Sequence, residues 1–138
     1  MIDFEKFRMS LEHLELQNSN RKKLAESQPP LIREAVDESV IQRFETCYDA
    51  LWKVLKRYLV EILGLPDVPN SPKPLFRLAN ENGVLPSNIK QWLKYADARI
   101  ATSHDYSGQK AQQCLALVDA FILDSMELNK TMSKTDQT

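Results

Sequence analysis

Apolar side chains recur every three or four residues along most of the chain, the spacing of one buried helical stripe. No stretch shows the sustained alternation of a half-buried strand. The first helix is predicted over residues 4–26, with Phe4, Phe7, Leu11 and Leu14 on one face. Its second half, from Asn18 to Lys23, is polar and is expected to run past the core or fray. Pro29 and Pro30 then break the chain. The strongest pattern follows, with Val36, Val40, Phe44, Cys47, Leu51, Leu55, Tyr58 and Ile62 in step. Ile41, Tyr48, Trp52, Leu59 and Leu63 widen that stripe, so this helix is expected to pack against more than one neighbour. Gly64 is its stop, which makes it about 28 residues, or about 42 Å, long.

After a loop over residues 65–70, Ser71 and Pro72 read as an N-cap and a first helical position. A short helix with Leu75, Phe76, Leu78 and Ala79 stops at Gly83. Pro86 and Ser87 introduce a fourth helix with Ile89, Trp92, Leu93, Ala96 and Ile100. The fifth starts near Gln109 and carries Ala111, Cys114, Leu115, Leu117, Val118, Phe121, Ile122 and Met126 on its core face. The expected fold class is all-α, an up-and-down four-helix bundle with one additional short helix. Residues 1–130 are expected to form one domain and residues 131–138 a polar, disordered tail.

Composition narrows the setting. The 138 residues fit one domain with its own core, and 18 Lys+Arg against 19 Asp+Glu leave a net charge of -1. That balance argues against broad, non-specific nucleic-acid binding, which leans on excess basic charge, but leaves room for a local basic stripe. Lys53, Lys56 and Arg57 are such neighbours on the second helix, with Arg43 further back. They read either as a ridge that contacts RNA phosphates or as the solvated face of an amphipathic helix. Cys47 and Cys114 both sit in apolar helical patterns, as buried free thiols of a cytoplasmic protein do. No metal-ligand spacing, nucleotide-binding glycine loop or cofactor motif is visible. The N-terminus lacks the apolar core of a signal peptide, and no run approaches membrane-spanning length. Trp52 and Trp92 read as core residues or interface anchors, and His13 as a surface residue.

The candidate chemistry lies in the run Arg99-Ile100-Ala101-Thr102-Ser103-His104-Asp105-Tyr106. Arg99 is a permanent cation, His104 exchanges a proton near neutral pH, and Tyr106 offers a hydroxyl. On one continuous helix Arg99 and His104 would lie about 140° apart. Thr102, Ser103 and Asp105 favour caps and turns, so the helix is expected to end near Ala101 and let the polar groups converge. The residues alone leave two readings open, a polar helix junction held by local pairs or a site for a phosphate-containing group.

Three separated stretches carry a family resemblance: Ile41 to Leu59 (IQRFETCYDALWKVLKRYL), Ser71-Pro72-Lys73, and Arg99 to Tyr106. In order and spacing they resemble the nucleotidyltransferase substrate-binding proteins, helical bundles of the HEPN superfamily, over about residues 4–128. The resemblance implies a helical partner of a separately encoded minimal nucleotidyltransferase in a toxin–antitoxin pair, with Tyr106 as the acceptor of AMP. It also implies a second activity, metal-independent RNA cleavage by Arg99 and His104 at a site shared across a homodimer. The chain departs from the family pattern at Ile100, where Asn or another polar residue is usual, and at Ala98, where an acid is usual. A polar contact is therefore expected to be missing, which together with the neutral net charge ranks the partner role above ribonuclease activity.

Overall fold

The computed structural model describes residues 2–136, with side chains to residue 134. Five α-helices account for the architecture: α1 (Glu5–Lys23), α2 (Pro30–Arg57), α3 (Pro72–Glu81), α4 (Ile89–Thr102) and α5 (Gly108–Asp136). The described residues contain no strand. Four longer helices form the all-α bundle, and α3 is the additional short one.

The helix boundaries show where apolar spacing and local chemistry diverge. Helix α2 begins at Pro30, six residues before its apolar stripe. Proline is preorganised for the first helical position, where its missing N–H costs nothing. The added turns stay exposed, Leu31 at 77%, so no burial pattern marks them in the sequence. They lie beside the polar end of α1, which stops at Lys23 rather than continuing to Glu26, and Arg21 pairs with Asp37 at 2.7 Å across the overhang. At its other end α2 runs into a π-helical turn, Tyr58–Ile62, in which the Leu63 N–H reaches the Tyr58 carbonyl at 3.1 Å. Gly64, at φ 63°, then lets the Leu65 N–H close on the Leu59 carbonyl at 3.1 Å.

Ser71 does occupy the N-cap of α3, with Pro72 in its first turn, but its hydroxyl makes no capping bond. For α4 the cap is Asn88, whose side chain accepts from the Lys90 N–H at 2.8 Å. Ser87 instead donates to Asp124 on α5 at 2.9 Å, and Tyr95 donates to the same carboxylate at 2.6 Å. Helix α5 continues through residues 131–136, against the expected polar tail, because Leu128 and Met132 are both fully buried. The disorder expected for residues 137 and 138 lies outside the described residues.

Six aromatic rings form a closed circuit at the centre: Phe44, Tyr48, Phe76, Trp92, Tyr95 and Phe121, each 4.9–6.0 Å from the next. Four of the six contacts are edge-to-face, the arrangement favoured by ring quadrupoles. The circuit joins α2, α3, α4 and α5 and fixes their mutual register. Cys47 and Cys114 are buried free thiols, and burial pushes each up to about 12. Trp92 is core, Trp52 is only half-buried, and His13 is exposed.

Met132→Ala is expected to lower the free energy of unfolding by about 2 kcal/mol, the low end for truncating a buried Met. Leu123→Ala, at a position 65% exposed on the same helix, should stay within about 0.5 kcal/mol. Urea denaturation distinguishes them; equal midpoints would mean that the last turns of α5 do not pack.

Candidate functional site

The site is organised by a residue that the apolar pattern hides. Glu45 follows Phe44 on α2 and is only 8% exposed. A carboxylate so placed needs partners, because a buried, unpaired charge is costly. Three donors come from α4 and the turn after it. Arg99 Nη1 reaches Glu45 Oε2 at 3.0 Å, Thr102 donates its hydroxyl to the same oxygen at 3.0 Å, and Tyr106 donates its phenol O–H to Oε1 at 2.7 Å. Asp49, one turn further along α2, takes the rest of the guanidinium through Nε at 3.3 Å and Nη2 at 3.2 Å. Such a two-pronged contact suits the planar fork of arginine.

The local chain explains how these groups meet. Helix α4 ends at Thr102, one residue later than expected, with Ser103 as its C-cap. The Ser103 hydroxyl donates to the Ile100 carbonyl at 2.6 Å. Asp105 Oδ1 accepts from the Ser107 N–H at 2.9 Å and from the Ser107 hydroxyl at 2.6 Å, which closes the turn before α5. These two bonds hold the Asp105 carboxyl below its ordinary value, the side-chain bond contributing most. Gly108, at φ 68°, adopts the left-handed backbone from which α5 departs. The turn thereby carries Tyr106 back onto Glu45.

The electrostatics follow from these contacts. Partial burial alone pulls the Arg99 guanidinium down, but the bonds and charge of Asp49, then the charge of Glu45, outweigh it and hold the cation above its ordinary value. The hydrogen bond to Glu45, then burial and the same negative charge, raise the Tyr106 phenol. Tyr106 is thus a neutral donor fixed on a carboxylate, beside a guanidinium whose counter-charges are both on α2.

The structure brings together Arg99 and Tyr106 and leaves His104 outside that cluster. His104 is exposed in the turn, with no hydrogen-bond partner among the described residues. Lys53, Lys56 and Arg57 lie about one to two turns beyond Asp49 on α2. Lys56 donates to Asn70 at 3.0 Å and Arg57 pairs with Glu61 at 2.7 Å, while Asp49, Lys53 and Arg57 border one hollow. Ile100 is 59% exposed and Ala98 half-buried. Among the described residues no group of His, Cys, Asp or Glu is placed to hold a metal ion. Glu45, Asp49 and Thr102 are the additions that the structure makes. The signal for Glu45 was a charge flanked by Ile41, Phe44 and Tyr48, inside the apolar stripe.

Arg99→Ala strands a nearly buried carboxylate and is expected to cost about 3 kcal/mol. Adding Glu45→Gln should recover part of that loss, a coupling of about 1–3 kcal/mol in a double-mutant cycle followed by urea denaturation. Strictly additive losses would mean that the pair does not interact. Because the folded state raises the Tyr106 phenol, its contribution to stability is fully present below about pH 10 and lost as pH rises through the folded value. Phenolate absorbance should show Tyr106 ionising earlier in Glu45→Gln than in the parent protein.

Comparison with known proteins places this arrangement in a family. The family described as "nucleotidyltransferase substrate binding protein like" matches residues 2–134. A Haemophilus influenzae protein named "probable ribonuclease HepT" is 29% identical over 130 residues, 93% of this chain and 88% of that protein. A solved structure from Haemophilus influenzae, described as the fold of a substrate binding domain of a nucleotidyltransferase, superposes with a TM-score of 0.79. It is 26% identical, and the match covers 95% of this chain and 99% of that one. A Thermus thermophilus structure gives a TM-score of 0.67 at 29% identity, covering 86% of this chain and 98% of that one. The chain belongs to the nucleotidyltransferase substrate binding protein like family.

Proposed function

We propose that this protein is the helical partner subunit of a separately encoded minimal nucleotidyltransferase and accepts AMP on Tyr106. The observation that carries the reading is the Tyr106 hydroxyl, half-buried at the helix junction and donated to Glu45 at 2.7 Å. In the transfer, the Tyr106 oxygen attacks the α-phosphorus of a nucleoside triphosphate held by the partner enzyme. The new phosphorus–oxygen bond forms as the bond to the departing pyrophosphate breaks. The phenol proton passes to the Glu45 carboxylate, already its acceptor, and from there to solvent. The family description supports the partner.

A second activity is compatible with the first and is favoured by the name of the Haemophilus relative. In this reading a homodimer is a metal-independent ribonuclease toxin of the cytoplasm. Arg99 stabilises the negative charge that builds on phosphorus when an RNA 2′-hydroxyl attacks the adjacent phosphate. His104, in the exposed turn, moves a proton between that hydroxyl and the departing 5′-oxygen, one copy as base and the other as acid. Lys53, Lys56 and Arg57 contact the RNA backbone on either side. Nucleotidyl transfer to Tyr106 then silences the toxin.

Incubated with its cognate nucleotidyltransferase and ATP, the parent protein should gain the mass of one or more AMP groups, and Tyr106→Phe should gain none. Glu45→Gln should label more slowly. Intact-protein mass spectrometry reads both, and labelling of Tyr106→Phe at the parental rate would remove the acceptor role. In a separate assay, RNA should be cut by the unlabelled protein and left intact by Arg99→Ala and His104→Ala. Equal cutting by those variants would remove the ribonuclease reading.

A further inference from the structure

We infer that the cleft beside Arg99 is a nucleobase subsite, seating the base attached to a phosphate held by that arginine. The inference rests on the phosphate-binding role of Arg99 proposed above and adds what lies next to the phosphate. The cleft has a volume of about 480 Å³ and opens between α2, the first turn of α3 and the last turns of α4. Tyr48 and Trp52 line it from α2, Pro72 and Pro74 from α3, and Arg99 and Ile100 from α4.

Three features fit a nucleotide rather than a general apolar occupant. The cleft is polar-ended: Arg99 and Asp49 mark one part, Ser71, Ser103 and Lys73, itself paired with Asp97 at 2.6 Å, also border it, and the rest offers the Trp52 ring and an aliphatic surface from Pro72, Pro74 and Ile100. A nucleoside monophosphate has the same asymmetry, anionic at one end and aromatic at the other. Next, Trp52 is not part of the closed aromatic circuit of the core, so its half-buried indole is available to a flat ligand. Bases held on proteins are commonly stacked on such rings. Finally, Ile100, an apolar side chain directly after Arg99, stands 59% exposed on the cleft wall. There it extends the apolar surface that the base would cover.

The cleft also contains the group that opposes binding. Asp49 lines it and already holds Arg99 with two oxygens. A phosphate must replace that carboxylate, whose side chain is 40% exposed and can turn into water. Glu45 is more deeply buried and keeps its bond. Asp49 and Trp52 therefore act with opposite sign, the acid against the phosphate and the indole for the base.

Titration of the full chain with AMP, adenosine and inorganic phosphate tests this, read by calorimetry and by tryptophan fluorescence. AMP should bind more tightly than either fragment and quench Trp52, leaving the buried Trp92 as a constant background. Trp52→Ala should weaken AMP about tenfold, and the conservative Trp52→Phe should abolish the quench yet largely retain the affinity. Asp49→Asn should tighten AMP several-fold without changing adenosine. Arg99→Ala should reduce AMP to the affinity of adenosine. If Arg99→Ala leaves AMP and phosphate binding intact, the phosphate role of Arg99 fails, and with it both the base subsite and the part given to Arg99 in the ribonuclease reading. If Arg99→Ala acts but Trp52→Ala does not, the base subsite alone is overturned. Loss of dimer mass in light scattering for Trp52→Ala, with AMP affinity unchanged, would assign the cleft to a contact between copies and overturn the inference.

Discussion

A single carboxylate inside an apolar helix face constrains the functional end of this bundle. Glu45 occupies a position where Ile41, Phe44 and Tyr48 already face the core, and its charge survives there only with donors arranged around it. Those donors are supplied by two separate stretches, the last turn of α4 and the turn that follows. The end of α4, the bend at Ser103 and the return of Tyr106 are thus parts of one electrostatic solution. The chemistry proposed for Arg99 and Tyr106 reuses groups that the fold must hold in place anyway.

The aromatic circuit ties this solution to the core. Phe44 and Tyr48 belong to the circuit, and Glu45 and Asp49 are the residues immediately after them on α2. Tyr95 belongs to it as well, and Arg99 follows one helical turn later on α4. The ring contacts fix the distance and rotation between α2 and α4, and the carboxylates and the guanidinium inherit that register. Interiors packed to this density do not deform continuously. A substitution that shifts Tyr48 or Tyr95 would therefore misplace the ion pairs without touching a charged residue.

The fold was largely legible because burial writes a period of three to four residues into the chain. It was illegible where helix persists without burial, as from Pro30 to Ala35. It was also illegible where burial involves isolated residues within a polar sequence, as at Met132. At the site, Arg99, His104 and Tyr106 stood out because cation, imidazole and phenol crowd a predicted helix end. The break that lets two of them converge followed from the turn preferences of Thr102, Ser103 and Asp105. Glu45 and Asp49 did not stand out, since acids are ordinary on a long amphipathic helix. Their partners lie fifty or more residues away, a separation that local pattern does not carry. Ile100 was read as a missing polar contact, and its place on the cleft wall is a feature that sequence spacing could not express.

The π-helical turn at the end of α2 has a geometric consequence for the cleft. A turn closed through five residues rather than four accommodates one extra residue, and one residue of an α-helix corresponds to about 100° of azimuth. The chain beyond Ile62 therefore leaves α2 on a bearing that a regular helix of the same length would not take. The loop that begins there leads to α3, whose Pro72 and Pro74 line the same cleft as Ile100. Deleting one residue from Tyr58–Ile62 would swing the exit direction by roughly a quarter of a revolution. The irregular turn thus offsets the azimuth at which the chain leaves α2.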